Sequence, residues 1–146
     1  MKLVLDTNIV LDLFVFQDPR AADLRAAIAS GQAQWFASAP MREELACVLS
    51  YEQMGAWLER GAISAAQVLR TFDEHATLVA PPPGAGIKCR DPDDQKFVDL
   101  AVAHGALLLS KDRELLALRR KLPVASAFSA LPPPRSGPAA PSASTS

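Results

Sequence analysis

The sequence has few of the residues that build disulfide frameworks, zinc sites or histidine-dependent catalysis. Only two of its 146 residues are cysteine, Cys47 and Cys89, which lie far apart and outside any CxxC pattern. A structural zinc site and a disulfide scaffold are therefore disfavoured, and we expect a reduced, cytosolic setting. The two histidines, His75 and His104, lie in no recognisable motif, which argues against a hydrolase with a serine or cysteine nucleophile.

Excess charge of one sign and long apolar runs are lacking as well. The formal net charge is −1, so contact with a nucleic acid has to be local or carried by a metal ion. No segment approaches the length needed to cross a membrane. The apolar stretch that begins at Leu3 is interrupted by Asp6 and Asp12, which does not fit a signal peptide.

The composition and length predict one globular domain over residues 1–130. Hydrophobic residues make up 49% of the chain, and 146 residues can bury a substantial core. Residues 131–146 consist mainly of proline, alanine and serine. Because such a segment has too little apolar bulk to offset its ordering entropy, we predict a disordered tail there.

Short apolar runs alternate along the chain with segments of helical pattern. The runs at 3–5, 34–37, 77–80 and 106–110 predict strands, and 123–127 predicts a short edge strand. Helices are predicted at 8–16, 19–30, 41–50, 52–60, 64–75, 91–104 and 113–121. Strands separated by helices predict an α/β fold of three layers, with a central parallel sheet and helices on both faces.

Two aspartates directly follow predicted strands. Asp6 ends the first apolar run, and Asp112 follows the run at 106–110. Open α/β sheets place their chemistry at the carboxyl ends of the strands. If these two strands are neighbours, both carboxylates lie at the same edge of the sheet. The alternative for Asp112 is that it only caps the helix beginning at Arg113.

Two further acids lie on core-facing helix surfaces. Asp94 shares a helix face with Phe97 and Ala101, whereas Asp99 points almost oppositely. Asp94 is either a site residue or an acid that satisfies the backbone amides at a helix start.

Glu44 flanks the apolar stripe of its helix, which contains Met41, Leu45 and Leu49, while Glu43 points away. Glu44 can therefore reach a cleft at the edge of the core, and the alternative is an ordinary boundary acid. Glu43 should be solvated.

Three other residues carry simpler expectations. We expect Asp12, on the first helix, to be solvated or to serve as a cap. Trp35 and Trp57 are able to stack on nucleic-acid bases, but we predict core packing for both.

Four carboxylates in one cleft repel each other and need a counter-charge. Hard divalent cations with oxygen ligands supply it: Mg²⁺ takes one or two carboxylates and keeps several waters, and Mn²⁺ accepts similar ligands. Such a site supports in-line attack on a phosphodiester.

Three stretches of this sequence together resemble the PIN domain. They are LVLDTN near the start, REELACVL in the middle and RDPDDQKFVDLAVAHGALLLSKDRELL near the end. The resemblance covers roughly residues 2–130, and the phrase DPDD is similar to that of toxins from toxin–antitoxin pairs, as in VapC-like proteins. It implies a parallel sheet flanked by helices and a ribonuclease that depends on Mg²⁺ or Mn²⁺.

Carried over position by position, the resemblance places the family's catalytic and metal-binding acids at Asp6, Glu44, Asp94 and Asp112. Asn8 and Ser110 match polar residues that support such a site. The implied partners are an RNA substrate, a small antitoxin protein and a second copy of the chain in a homodimer. Candidate contacts to the RNA backbone, with a solvated helix face as the alternative, are Arg113, Arg119, Arg120 and Lys121.

Two other interpretations remain at this stage. A phosphatase with Asp6 as nucleophile usually has a second aspartate two residues later, where this chain has Asn8. The second interpretation is a non-catalytic binding module of the same fold, and the presence of all four acids argues against it.

Overall fold

The computed structural model of the chain describes residues 1–84 and 86–126. In this part of the chain the strands are β1 Lys2–Leu5, β2 Gln34–Ala37, β3 Ala76–Leu78, β4 Leu107–Ser110 and β5 Val124–Ser126. The α-helices are α1 Thr7–Phe14, α2 Ala22–Ala29, α3 Ala39–Leu49, α4 Glu52–Arg60, α5 Ala65–His75, α6 Gln95–His104 and α7 Arg113–Leu116. Short 3-10 turns, Pro19–Ala21 and Pro92–Asp94, precede α2 and α6.

The five strands form one parallel sheet in the order β3-β2-β1-β4-β5. Helices cover both faces, so the predicted three-layer α/β architecture is confirmed. β1 and β4 are hydrogen-bonded neighbours, and Leu5 pairs with Leu109. In this register the two strands end side by side. Asp6 and Asp112, which follow them, therefore lie at the same edge of the sheet.

The core lies between the sheet and its helices. The strand residues Leu3, Val4, Leu108 and Leu109 are completely buried. Trp35 is buried as well, and its ring meets Phe72 edge-on with centroids 4.9 Å apart. Core packing of Trp35 is therefore confirmed.

Core packing of Trp57 was a wrong expectation. Its side chain is 43% exposed on α4. The ring meets Phe16 edge-on at 4.7 Å between centroids, and the Arg60 guanidinium lies 4.6 Å from its centroid. Surface partners rather than the core therefore hold this indole.

The helix predicted at 113–121 is much shorter in the structure. α7 ends at Leu116, and the chain continues in turns, with the amide of Leu118 bonded to the carbonyl of Leu115. Three consecutive cations, Arg119, Arg120 and Lys121, repel each other, and Pro123 follows just before β5. A continued helix would carry the chain past the edge that β5 has to join.

Two predictions extend beyond the described residues. The disordered tail at 131–146 lies outside them, as does residue 127 of the predicted edge strand. Within the described ranges, every helix is too short or too polar to cross a membrane.

Candidate active site

Asp6 lies immediately after β1 and begins α1. One carboxylate oxygen, Oδ1, accepts a hydrogen bond from the amide of Ile9 at 3.1 Å. The other, Oδ2, accepts one from Ser110 Oγ at 2.5 Å. Burial raises the pKa of Asp6, the two hydrogen bonds oppose that rise, and the nearby Asp112 charge adds to it. Asp6 is thus a buried carboxylate beside a second acid.

Asp112 stands at the end of the neighbouring strand. Its amide donates to Ser110 Oγ at 2.9 Å, and its Oδ1 accepts from the amide of Glu114 at 2.8 Å. It therefore does cap α7, as one of the two interpretations held. Ser110 ties it to Asp6, because the same hydroxyl contacts both residues.

Asp94 reaches this pair from the 3-10 turn before α6. Its pKa is raised to about 7 by burial first, then by the charge of Asp112, a side-chain hydrogen bond with Asp112, and the charges of Asp91 and Asp6. The hydrogen bond to Asp112 and the repulsion from Asp112 and Asp6 show that the Asp94 carboxyl lies close to both acids. The structure thus brings together Asp6, Asp94 and Asp112 from three separate stretches of sequence.

Glu44 borders this group but is occupied by other partners. The hydroxyl of Thr7 donates to its Oε2, and the ammonium nitrogen of Lys96 lies 2.5 Å from its Oε1. Thr7 directly follows Asp6, and Lys96 lies two residues after Asp94, so Glu44 is adjacent to the three aspartates. Glu43 is exposed, as predicted.

Asp12 is neither solvated nor a cap, contrary to the sequence-based expectation. It is 3% exposed on α1, and Lys111 Nζ lies 2.6 Å from its Oδ2, in an ion pair without regular hydrogen-bond alignment. Residues 9–14 of α1 are all buried and five of these six are apolar, so this part of the helix has no face turned to solvent. That pattern was the signal that Asp12 needed an internal partner.

The supporting polar residues behave differently from each other. Ser110 is fully buried and bonded to both Asp6 and Asp112. Asn8 is exposed at the start of α1, and its supporting role stays a prediction.

The donor atoms fit a hard divalent cation in kind. The three aspartates offer only carboxylate oxygens, and their mutual repulsion would be relieved by a cation. Within residues 1–84 and 86–126, however, no three acidic, histidine or cysteine side chains are already arranged to hold a metal ion. Asp6, Asp94 and Asp112 therefore match such a cation by the type of their donor atoms and not by a preformed arrangement.

A basic depression lies next to Asp112. It encloses about 360 Å³ and is lined by Arg113, Leu116, Ala117, Arg119 and Arg120. Its three guanidinium groups are of the kind that bind phosphate groups.

Fold and site together define a class: a three-layer parallel α/β domain with clustered carboxylates at the carboxyl edge of its sheet. The chain belongs to the PIN domain family, whose profile matches residues 2–114. Members of this family are generally nucleases. No curated protein matches the chain.

Two solved structures share the fold. VapBC2 from Rickettsia felis, bound to a DNA fragment from its promoter, is 14% identical with a TM-score of 0.62. VapBC-1 from nontypeable Haemophilus influenzae is 15% identical with a TM-score of 0.51. Each match covers 86% of this chain and 98% of the other. The VapBC names agree with the resemblance to VapC-like proteins, and at such identities the likeness shows the fold alone.

Proposed function

We propose that this protein is a metal-dependent endoribonuclease. The observation that carries the proposal is the convergence of Asp6, Asp94 and Asp112, where burial first and the neighbouring acids second raise the pKa of Asp94 to about 7. Membership of the PIN domain family supports the same chemistry. Asp6, Asp94 and Asp112 would hold Mg²⁺ or Mn²⁺, and Glu44 would complete the acidic site.

Each residue has a chemical task in this proposal. When bound, the cation would stabilise charge on the phosphodiester and lower the pKa of the attacking water. A carboxylate of the site accepts the water's proton. The water oxygen bonds to phosphorus, the bond from phosphorus to O3′ breaks, and O3′ takes up a proton from solvent. The products are a 3′ hydroxyl and a 5′ phosphate, and the arginines beside Asp112 hold the RNA backbone.

The biological setting we propose is that of a type II toxin. The VapBC names of the two structural neighbours support an antitoxin partner for this chain. We further propose a homodimer acting in the cytoplasm, as the family resemblance implies. A short reading frame adjoining the gene would be the cheapest supporting observation.

A second candidate is a non-catalytic PIN module that binds RNA or protein. Two observations favour it: Glu44 is engaged by Lys96, and the described residues hold no ready three-ligand cluster. Both candidates would use the basic depression to bind RNA, and they differ only in whether the bound RNA is cleaved.

Cleavage of a labelled RNA with Mn²⁺ separates the two candidates. Asp6→Asn should lower the rate by about 100-fold or more, because it removes one charge from the site while keeping a side chain that can cap α1. Glu43→Gln, an exposed acid beside Glu44, is the matched control and should cleave normally. Equal cleavage by the parent protein and the Asp6→Asn variant would reveal a contaminant. Binding without cleavage by the parent protein would favour the module.

A further inference from the structure

Lys96 places a cation inside the acidic site. Its Nζ lies 2.5 Å from Glu44 Oε1 and donates to the carbonyl of Asp93 at 2.5 Å. The side chain is 22% exposed, and Nζ lies 5.0 Å from the centroid of the Phe97 ring. The ammonium group is thus coordinated by two oxygens and shielded on one side.

Each carboxylate oxygen of Glu44 already has a partner, and one of the two partners is a cation. Oε1 faces Lys96, and Oε2 accepts from the Thr7 hydroxyl. Both oxygens of Asp6 are engaged as well, but by uncharged donors, the Ile9 amide and the Ser110 hydroxyl. Asp112 likewise accepts from an uncharged group, the amide of Glu114. Asp94 faces Asp112, another acid, rather than a cation. The unmet demand for positive charge therefore lies at the three aspartates.

We propose that Lys96, rather than a metal ion, neutralises Glu44, so that the site takes one divalent cation, held by the three aspartates. This inference rests on the proposed function and deepens it. Glu44 is then a positioning residue: it links α1 through Thr7 to α6 through Lys96. Lys96 is likewise a positioning residue, and it blocks a second metal position.

The test counts Mn²⁺ ions bound per chain by titration calorimetry and by the spin-resonance signal of free Mn²⁺. The parent protein should bind one. Lys96→Met should bind two, because Glu44 and the Asp93 carbonyl are then free to take a cation. Lys96→Arg, which keeps the positive charge, should bind one. Lys88→Met removes an exposed lysine in the loop before α6 and should also bind one.

Affinity supplies the second readout. Glu44→Gln should leave the Mn²⁺ affinity within about threefold, whereas Asp94→Asn should weaken it by tenfold or more, because it removes a charged oxygen ligand. Thermal melts in EDTA check that every variant folds.

Three results would overturn the inference while leaving the nuclease proposal intact. They are two ions on the parent protein, one ion on Lys96→Met, or a loss for Glu44→Gln as large as for Asp94→Asn. If neither the parent protein nor Lys96→Met binds Mn²⁺, the inference and the metal-dependent function both fall. An ion on Lys96→Met alone would support Lys96 as the blocking cation and count against the function proposed for the parent protein.

Discussion

The two carboxylate oxygens of Asp6 have different roles, one in capping a helix and one in the candidate site. Oδ1 caps α1 through the amide of Ile9, and Oδ2 meets Ser110. Asp112 does the same on α7, where its Oδ1 accepts from the amide of Glu114. Capping and a role in the site are therefore compatible. Alanine at either position would remove a cap worth about 1 kcal/mol, so asparagine is the cleaner probe of chemistry.

The pair of Asp12 and Lys111 gives a stability prediction. Lys111→Met leaves a buried Asp12 carboxylate without its cation. Breaking a buried pair costs about 3–5 kcal/mol, but Lys111 is 40% exposed and solvent screens it. We therefore expect the free energy of unfolding to fall by roughly 1–3 kcal/mol in urea denaturation at pH 7.

The matched control is Arg42→Met, which breaks the exposed pair with Asp73. It should lower the free energy of unfolding less than half as much. A double variant, Asp12→Leu with Lys111→Met, removes both charges and should regain most of the loss. A Lys111→Met protein as stable as the parent would show that Asp12 does not depend on this lysine.

Some site residues could be predicted from the sequence and others could not. Asp6 and Asp112 lie just after β1 and β4, as the apolar runs predicted. Asp94 was predicted from an α-helix face but lies in the 3-10 turn before α6, so α-helical periodicity alone does not account for its position. Lys96 and Lys111 were not predicted. Their flexible side chains reach partners on other elements, and no periodic pattern encodes that reach.

At the scale of elements, the sheet was easier to predict than the short helices. β1, β2 and β4 form where the apolar runs are, because strands buried on both faces need continuous apolar sequence. The predicted starts at residues 19 and 91 became 3-10 turns at Pro19–Ala21 and Pro92–Asp94. Proline fixes φ but does not decide between the tight and the regular helix.

Two glycines give opposite predictions at this scale. Gly105 joins α6 to β4 with φ of +60°, a conformation that alanine adopts only at a cost. A Cβ there would meet no atom within 4 Å, so Gly105→Ala should cost about 1 kcal/mol from backbone strain alone. Activity should be retained, because no site residue moves. Thermal or urea unfolding measures the change.

Gly55 is the matched control, since it lies inside α4 with equal open space around its Cβ position. Gly55→Ala should raise the free energy of unfolding by up to about 1 kcal/mol, because alanine favours a helix interior. Changes of the same sign for both variants would contradict the assignment of strain to Gly105.

At the scale of the whole molecule, the site exists only when the chain is folded. Asp6 and Ser110 are separated by 104 positions and meet because β1 and β4 are neighbours. A cation that binds the assembled aspartates therefore binds the folded state alone. At 100 times its dissociation constant, such a ligand stabilises the fold by about 2.7 kcal/mol.

That stabilisation should depend on pH. The pKa of Asp94 is higher in the folded than in the unfolded state, so the folded protein binds more protons there. Without metal, the free energy of unfolding therefore falls as pH rises from about 4 to 7. Protons compete with the cation for Asp94, so metal affinity rises over the same range.

The difference in melting midpoint between samples with Mn²⁺ and with EDTA should be small at pH 5.5 and larger at pH 7.5. Asp94→Asn should flatten both trends, whereas Asp93→Asn, an exposed neighbour, should preserve them. Equal differences at the two pH values in the parent protein would mean that Mn²⁺ does not bind at Asp94.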